Sequence, residues 1–590
     1  MKYRLFRFEL EQNEPDLESI FKLVAFTGGI GVLIGIDVGG TYTDGVVLAN
    51  GSVLKSVKCP TDTQDLQKSL LFVLDELLSY VKAENVERVV LSTTQITNLL
   101  ATGMGERTAL LLLPGSGLPF STYRISPDSY FLKGSIDFRG REIAPPDAME
   151  IERTLKEIDC KGIRRIAIAG KFSNRNDRHE MLIKEFITQN YPHMDVCTSN
   201  DISGRLNFPR RAVTCYYTAI TMREWNHFTD NIKSAIGTRM PGCEIQILKA
   251  DGGTTPLDAS RNRPCETVFS GPAASTMGTV ALCREPLNSV VVDIGGTTSD
   301  ISLLIEGKPL YASQGALIEG SLTHVRSFAV NSIALGGDSP VSAETGNLRI
   351  GKVRLDIAAC FGGEKPTVTD AFNVLLDLNI GDPLASRSKL AAVAQELGQS
   401  LETLCRSVAD QVISALKDSI QYMFGYWENE PAYKVWEVVN RKKFVLHQII
   451  GIGAAASAIV PMLAEDMGIR CFLHRYSPVA NALGAALSRP TLAVEVHIDT
   501  LNGYYTVLPG GLRGKIENRN YQIDDARVMA RHFLKEISLE RGLSHYADDA
   551  QIYLEEQFNV IRGRNTAGKV FDVGIQIAPG FVHGYEEIAE

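Results

Sequence analysis

Two nine-residue stretches decide the fold of this chain. The first reads Ile36-Asp37-Val38-Gly39-Gly40-Thr41-Tyr42-Thr43-Asp44, and the second reads Val292-Asp293-Ile294-Gly295-Gly296-Thr297-Thr298-Ser299-Asp300. Asp, Gly, Gly, Thr and the final Asp recur in register, 256 residues apart. Short apolar runs precede and follow both copies, which is the pattern of a β-hairpin with a glycine turn. The repeat therefore predicts two related lobes.

Each turn has the chemistry of a phosphate clamp. Glycine lets the backbone approach an anion closely, and successive N–H groups can point into the turn. A single copy would be read first as an ordinary glycine turn, whereas two copies in register favour nucleotide binding. The predicted phosphate-binding residues are Gly39, Gly40, Thr41, Thr43, Gly295, Gly296, Thr297 and Thr298.

One aspartate stands at the start of each turn. Asp37 and Asp293 would repel phosphate directly, so we expect them to hold Mg²⁺ through water or to orient an attacking group. They are the candidate catalytic and metal-binding residues. Asp44 and Asp300, at the far ends of the two motifs, are expected to tie down their own hairpins.

A third element follows the second hairpin. The stretch from His447 to Ala455 is an apolar run that ends in small residues before a helix predicted over Ser457 to Met467. Such a turn can receive a flat adenine ring, and a helix N-terminus favours a nearby phosphate. Gly451, Gly453 and Ala454 are the candidate adenosine-binding residues. The alternative is close packing of a helix on a strand, which also needs small residues.

Composition limits the function classes. The 590 residues include 60 Lys and Arg against 69 Asp and Glu, a net charge of −9, which argues against a nucleic-acid-binding surface. No apolar run is long enough to span a membrane, and acidic residues precede the first one, so neither a membrane segment nor a signal peptide is expected. The ten cysteines show no close pair, which predicts free thiols in the cytoplasm and no iron–sulfur centre.

The order of the three elements resembles the actin/Hsp70/sugar-kinase ATPase superfamily. More specifically, the chain resembles the A-type, ATP-binding subunit of the hydantoinase/oxoprolinase family. That resemblance covers about residues 32–490 and includes four further motifs, at 91–98, Ser270-Gly271-Pro272-Ala273-Ala274, 366–371 and 477–484. It implies an α/β fold with duplicated ribonuclease H-like lobes around a nucleotide cleft. The expected domains are an N-terminal extension (1–31), two lobes (32–205 and 206–490) and a small C-terminal domain (491–590).

The resemblance implies ATP and Mg²⁺ as cofactors and a hydrolase that phosphorylates the carbonyl oxygen of a cyclic amide, such as a hydantoin or 5-oxoproline, before ring opening. It also implies a hetero-oligomer with a B-type subunit. Three alternatives stay open: a subunit of an ATP-dependent ketone carboxylase, a chaperone-like reactivating ATPase and a small-molecule kinase.

The chain departs from the family pattern after the second hairpin. Ala329 and Asn331 stand where the family commonly has Asp and His, and Asp338 stands at a position that is usually glycine. If those positions bind metal or substrate in the family, this chain has lost or rebuilt that function, with Asp338 and His324 as possible replacements. A non-catalytic His324 is the simpler interpretation. Ser270 and Asp370 are candidates for the cleft wall, or they fix turns.

Overall fold

The architecture comes from a computed structural model that describes residues 31–62, 64–429, 443–516, 520–563, 565–585 and 588. The predicted N-terminal extension, except for Gly31, lies outside the described residues. Helices and strands are numbered below in chain order.

The first sheet begins with the predicted hairpin. Strand β1 (Val32–Val38) pairs antiparallel with β2 (Tyr42–Ala49), and β2 pairs antiparallel with β3 (Ser52–Pro60). Helix α1 (Leu66–Leu78) then leads to β4 (Val86–Thr93), which lies parallel to β1. The side chain of Asp65 caps α1, and the apolar face of the helix covers the sheet.

An inserted α/β unit follows β4. In chain order it contains α2 (Gln95–Ala101), β5 (Thr108–Leu113), β6 (Ser129–Phe131), β7 (Ser135–Ile136), β8 (Glu142–Ala144), α3 (Ala148–Cys160), β9 (Arg165–Gly170), α4 (Arg178–Asn190), β10 (Asp195–Thr198) and α5 (Ser199–Ile202). A parallel sheet in the order β10-β9-β5-β6 forms its centre. These strands read as continuous apolar runs because helices cover both faces.

The chain returns to the first sheet through α6 (Phe208–Arg239), β11 (Glu244–Leu248) and β12 (Thr254–Pro256), followed by α7 (Leu257–Ser260). The complete order is β3-β2-β1-β4-β11-β12. Strands β11 and β12 thus pair within the first sheet although they follow residue 205. The predicted division between residues 205 and 206 stays a prediction, and this strand pairing favours a later boundary.

The second lobe is built on the second hairpin. Its elements are α8 (Ser270–Leu282), β13 (Ser289–Ile294), β14 (Ser299–Ile305), β15 (Lys308–Pro309), β16 (Leu317–Ile318), β17 (Ser321–Leu322), β18 (Val330–Ile333), β19 (Val341–Glu344), β20 (Asn347–Ile350), α9 (Val368–Leu375), α10 (Pro383–Glu396), α11 (Leu401–Glu428), β21 (Gln448–Ile452), α12 (Ala456–Met467), β22 (Arg470–Phe472) and α13 (Ala480–Leu487). The sheet order is β15-β14-β13-β21-β22, and β18 also pairs with β14.

The two sheets share one topology. In each, three antiparallel strands begin with the glycine hairpin, and two strands parallel to the first extend the other side. This confirms the α/β fold class and the duplicated ribonuclease H-like lobes.

Helices α8 and α13 join the lobes through backbone contacts. A side chain at Gly278 would lie 1.9 Å from the carbonyl oxygen of Ala480, and one at Gly484 would lie 2.0 Å from that of Ala274. A side chain at Gly35 in β1 would similarly meet the carbonyl of Ala482 at 2.1 Å. Glycine at these positions allows the close approach. The small-residue motifs at 270–274 and 477–484 therefore have a packing role.

The C-terminal residues form a separate layer. Strands β23 (Leu492–Asp499), β24 (Tyr504–Leu508), β25 (Leu512–Lys515), β26 (Gln551–Arg562) and β27 (Asn565–Ile577) make an antiparallel sheet in the order β25-β24-β23-β27-β26. Helix α14 (Ile523–Glu540) packs on it around a core of its own. Along the whole described part of the chain, no helix combines the length and apolarity that crossing a membrane requires.

Candidate nucleotide-binding site

The two glycine hairpins have the same internal geometry. Asp37 is paired with Asp44 across the first hairpin, and Asp293 with Asp300 across the second. Each turn is closed by one bond of 3.0 Å, from the amide of Gly39 to the carbonyl of Tyr42 and from the amide of Gly295 to that of Thr298. The repeat seen in the sequence is thus a repeat of backbone conformation.

The two turns also lie against each other. A side chain at Gly296 would stand 2.6 Å from Thr41 Cγ2 and 2.8 Å from Asp338 Oδ2. Thr41 is buried, and its hydroxyl has no hydrogen-bond partner among the described residues. The lobes therefore bring both predicted phosphate loops to one place.

Asn481 links the two candidate catalytic aspartates. Its side-chain nitrogen donates to Asp37 Oδ2 at 3.3 Å and to Asp293 Oδ2 at 3.4 Å. The residue lies in the first turn of α13, so the positive end of that helix also faces the carboxylates. Asp37 and Asp293 are only 4% and 8% exposed, and Asp37 Oδ1 has no partner within the described chain.

Burial makes ionisation of these carboxyl groups difficult. It raises the pKa of Asp37 to about 7, and the neighbouring Asp44 and Asp293 add to the rise, against hydrogen bonds from Ser92 and Asn481. Burial also raises the pKa of Asp293 and brings that of Asp300 to about 7. A cation between Asp37 and Asp293 would relieve this cost.

The other two aspartates have partners on neighbouring strands. Asp44 accepts two hydrogen bonds from Lys58 Nζ on β3, at 2.6 and 2.8 Å, and Lys58 also bonds the carbonyl of Pro478. Asp300 bonds Ser332 on β18. Both contacts hold the hairpins in their sheets, as expected.

The predicted adenosine turn divides into two parts. Gly451 lies inside β21, and a side chain there would meet Val460 and Leu473, so this glycine serves close packing with α12. The strand begins at Gln448, one residue after the start of the apolar run at His447. Gly453 has a φ of 89°, and a side chain there would stand 2.6 Å from Asp293 Oδ1. Ala454 lines the cleft.

The cleft beside the hairpins combines polar and apolar walls. Gly295, Gly296, Lys58 and Asp338 line its polar end. The apolar wall of the cleft includes Ile357, Phe361, Phe372, Leu378, Ile380 and Ile459. A phosphate-binding end next to an apolar wall suits a nucleotide.

The remaining predicted phosphate-binding residues differ in their exposure to solvent. Thr43 is fully buried and shares a hydrogen bond of 2.9 Å with Thr61, so it faces the strand β3 side rather than the cleft. Thr298 is exposed, and Thr297 and Gly40 lie at the rim of their turns. Room remains around Gly40, since a side chain there would meet no atom within 4 Å.

The divergent segment belongs partly to the cleft. Asp338 is buried, its carboxylate pairs with Arg354 at 3.0 Å, and its amide donates to the carbonyl of Gly296. Burial raises its pKa to about 6, and Arg354 opposes the rise. Asn331 instead donates to Ser419 on α11 at 2.6 Å. Asp338 is thus the one altered position that faces the phosphate loops.

Three other candidates have structural roles. Ser270 bonds the backbone of Thr93 and the hydroxyl of Ser92, and so fixes the start of α8. Asp370 accepts bonds from the amides of Ala359, Cys360 and Thr367. His324 contacts Ser203 and lines a different cavity from the cleft, so it does not replace the lost histidine there.

The sequence offers no signal for the contacts of Asn481 and Lys58. Asn481 stands in the motif at 477–484, but no local pattern indicates its two contacts with the aspartates. Lys58 stands in an ordinary amphipathic strand that offers no motif.

The same geometry is compatible with the expected cofactors, ATP and Mg²⁺. The unpartnered oxygen of Asp37 and the raised pKa values of the aspartates suit Mg²⁺, and the open glycine turns suit phosphate. Among the described residues there is no group of three or more His, Cys, Asp or Glu side chains arranged to hold a metal. The two aspartates would therefore share a cation with phosphate and water.

The paired hairpins on duplicated sheets define an actin-like ATPase fold. The hydantoinase/oxoprolinase family profile matches residues 211–494, and the profile of the family's N-terminal region matches residues 33–191. The chain belongs to the hydantoinase/oxoprolinase family.

Named relatives are distant. The chain is 24% identical to caprolactamase subunit alpha of Pseudomonas jessenii, over 88% of this chain and 76% of that protein. It is 25% identical to 5-oxoprolinase of Saccharomyces cerevisiae, over 60% of this chain but only 28% of that longer protein. A nucleotide-free acetone carboxylase structure superposes with a TM-score of 0.68 at 16% identity, covering 94% of this chain and 88% of that one.

Proposed function

We propose that this chain is the ATP-binding subunit of an ATP-dependent hydrolase that activates a cyclic amide, of the hydantoin or 5-oxoproline type, for ring opening in the cytoplasm. The observation that carries the proposal is the pair of buried aspartates, Asp37 and Asp293, joined by Asn481 between two matching glycine turns. Family membership and relatives named caprolactamase and 5-oxoprolinase support the choice of cyclic amides.

In this proposal the turns hold the phosphates of ATP. The amides of Gly39 and Gly295 close their own turns, so the cradle falls to the residues that follow, Gly40 with Thr41 and Gly296 with Thr297. The unpartnered Thr41 hydroxyl is a further donor. The adenine ring would lie toward Ala454 and the apolar wall of the cleft.

Asp37 and Asp293 would bind Mg²⁺ and orient water, and the cation would neutralise charge on the phosphates. Asn481 keeps the two carboxylates in place. Asp338 lines the same cleft, and its salt bridge with Arg354 would offset its negative charge near the phosphates.

ATP supplies a phosphoryl group that turns an inert carbonyl oxygen into a leaving group. The amide oxygen forms a bond to the terminal phosphorus, and the bond from that phosphorus to ADP breaks. Water then adds to the carbonyl carbon, and the ring C–N bond breaks as nitrogen takes a proton, which leaves an acyl phosphate. A second water cleaves this acyl phosphate into a carboxylic acid and phosphate. The net products are ADP, phosphate and the ring-opened acid.

The family's hydrolytic step often needs a B-type subunit, and we infer that this chain works with one in a hetero-oligomer. A relative named as a subunit, caprolactamase subunit alpha, supports this.

A ketone carboxylase subunit is the second candidate. The fold shared with acetone carboxylase supports this alternative. Both functions begin with phosphorylation of a carbonyl oxygen, so the products must distinguish them.

The test is a product balance. Purified chain, alone and with its B-type partner, is incubated with Mg²⁺, ATP and a panel of hydantoin, 5-oxoproline, a lactam and a ketone with bicarbonate. We expect one phosphate per ring-opened acid, and only with the partner present. Asp293→Asn should lower phosphate release at least about 100-fold, while Asp548→Asn, an exposed aspartate far from the cleft, should not.

Other outcomes contradict the proposal. Release of phosphate only with ketone and bicarbonate indicates the carboxylase. A phosphorylated organic product without free phosphate indicates a small-molecule kinase, and stimulation by protein clients alone indicates a chaperone-like ATPase.

A further inference from the structure

A second cavity lies where the first lobe, the inserted unit and the C-terminal sheet meet. It has a volume of about 140 Å³, is partly open to solvent, and shares no lining residue with the nucleotide cleft. Its walls come from the segment after α5, the turn 263–266, the segment 324–326 and strands β23 and β27. Cavities between domains are common ligand sites. We refer to this space as the junction cavity.

Cations outnumber anions on its walls. Five basic residues line the junction cavity, namely Arg205, Lys249, Arg263, Arg326 and Arg541, against three acidic ones, Asp251, Glu266 and Glu495. Arg205 pairs with Glu495, Lys249 with Asp251 at 3.3 Å, and Arg263 with Glu266 at 3.6 Å. Two guanidinium groups remain after these pairs.

Arg326 and Arg541 are those two groups. Arg326 bonds the amide of Gln576 and lies over the rings of Tyr311 and Tyr553, with 4.5 and 5.4 Å to their centres. Neither arginine has a salt bridge with a carboxylate in the described part of the chain. Burial and the like charge of Arg263 lower the pKa of Arg541, and Glu266 and Glu540 only partly oppose this fall.

The pKa of a histidine in the same wall is lowered in part by the same excess of positive charge. His324 bonds the hydroxyl of Ser203 at 2.5 Å. Burial lowers its pKa to about 3, and Arg205, Arg211 and Arg210 lower it further.

The wall also contains an unused donor. Thr218 is 1% exposed and lines the junction cavity, and apart from the weakly bonding thiol of Cys265 its hydroxyl has no partner among the described residues. An anion in the cavity would meet the guanidinium groups of Arg326 and Arg541, neither of which is in a salt bridge in the described part of the chain, and a hydroxyl.

We propose that the junction cavity binds a small organic dicarboxylate. The cavity walls carry two more cationic than anionic side chains, which matches two carboxylates in charge, and the planar fork of arginine matches a carboxylate in shape. The acidic residues are already engaged with other cations, so they do not oppose the ligand. This site is separate from the nucleotide cleft and does not depend on the proposed hydrolase activity.

The experiment is calorimetric titration of the full-length, nucleotide-free protein with succinate, glutarate, succinamide and inorganic phosphate. We expect one dicarboxylate per chain, with no heat from the neutral diamide and weaker binding of phosphate. Arg326→Gln and Arg541→Gln should each weaken dicarboxylate binding at least tenfold. Arg387→Gln, an exposed arginine on α10, is the matched control and should bind as the wild type does.

ATP affinity, measured on the same proteins, shows whether the junction cavity is independent of the nucleotide cleft. It also shows whether each variant is folded. It should be unchanged in both cavity variants. The proposal is overturned if neither dicarboxylate binds, if phosphate binds more tightly, if the cavity variants bind dicarboxylate normally, or if ATP competes with it. Should either glutamine variant lose ATP binding, Arg326→Lys and Arg541→Lys replace it, and dicarboxylate affinity equal to the wild type in both would overturn the arginine assignment.

Discussion

Asn481 donates to Asp37 and Asp293 from one nitrogen, and this contact joins residues 444 and 188 positions apart in the chain. Without that amide, two buried carboxylates would face each other with less compensation. Hydrogen bonds to charged groups contribute about 1.5–3 kcal/mol each. Asn481→Ala should therefore lower the free energy of unfolding by about 2 kcal/mol in the absence of nucleotide.

Urea unfolding followed by circular dichroism measures this change. Asn190→Ala is the matched control, because its side chain bonds only a carbonyl at an exposed helix end, and it should alter stability by less than about 0.5 kcal/mol. Equal midpoints for the two variants would show that the amide bridge does not stabilise the aspartates.

At the scale of single elements, two variants of the second hairpin should distinguish an effect on ATP binding from an effect on folding. Gly295 lines the cleft, and a side chain there would meet only the carbonyl of Thr298, at 3.4 Å. Gly296 has no such room beside Thr41. We expect Gly295→Ala to fold normally and to weaken ATP binding at least tenfold, because its methyl group enters the phosphate end of the cleft. Gly296→Ala should destabilise the fold by about 1–3 kcal/mol.

Thermal unfolding and ATP titration of the two variants check this pair of expectations. Gly237→Ala, in the exposed face of α6 with nothing within 4 Å, is the control and should stabilise slightly while binding ATP normally. Normal ATP affinity of Gly295→Ala would contradict the role of this turn in phosphate binding.

The elements that sequence alone predicts are those whose signal is local. Both hairpins and the helix predicted over Ser457 to Met467, which the structure shows as α12, follow from apolar spacing and turn residues close together in the chain. Gly451 shows the limit, since a small residue after an apolar strand suits both an adenosine turn and helix packing, and only the contact with Val460 distinguishes them. The return of β11 to the first sheet, after the inserted unit, depends on long-range pairing that no local pattern encodes.

The site is less predictable than the fold for the same reason. Asp37 and Asp293 stand in recognisable motifs, whereas Asn481 bridges them only after α13 has packed against β1 at Gly35. Lys58 reaches Asp44 from a strand that carries no motif. The junction cavity needs three parts of the molecule to assemble, and its arginines carry no motif. Contacts between segments that are distant in the chain thus determine the geometry of the site, which the motifs alone do not specify.

At the scale of the whole molecule, the duplicated lobes predict which segments ATP binding protects from hydrogen exchange. ATP held by both hairpins stabilises both lobes together, and at 100 times its dissociation constant the linkage amounts to about 2.7 kcal/mol. Hydrogen exchange with Mg²⁺ and ATP should therefore slow at 38–43 and at 294–299, the ends of the two turns. Exchange in the C-terminal sheet β23–β27 should change little, because that sheet contributes no residue to the cleft. Protection of one hairpin without the other would show that a single lobe binds the nucleotide, and the second glycine turn would then serve packing alone.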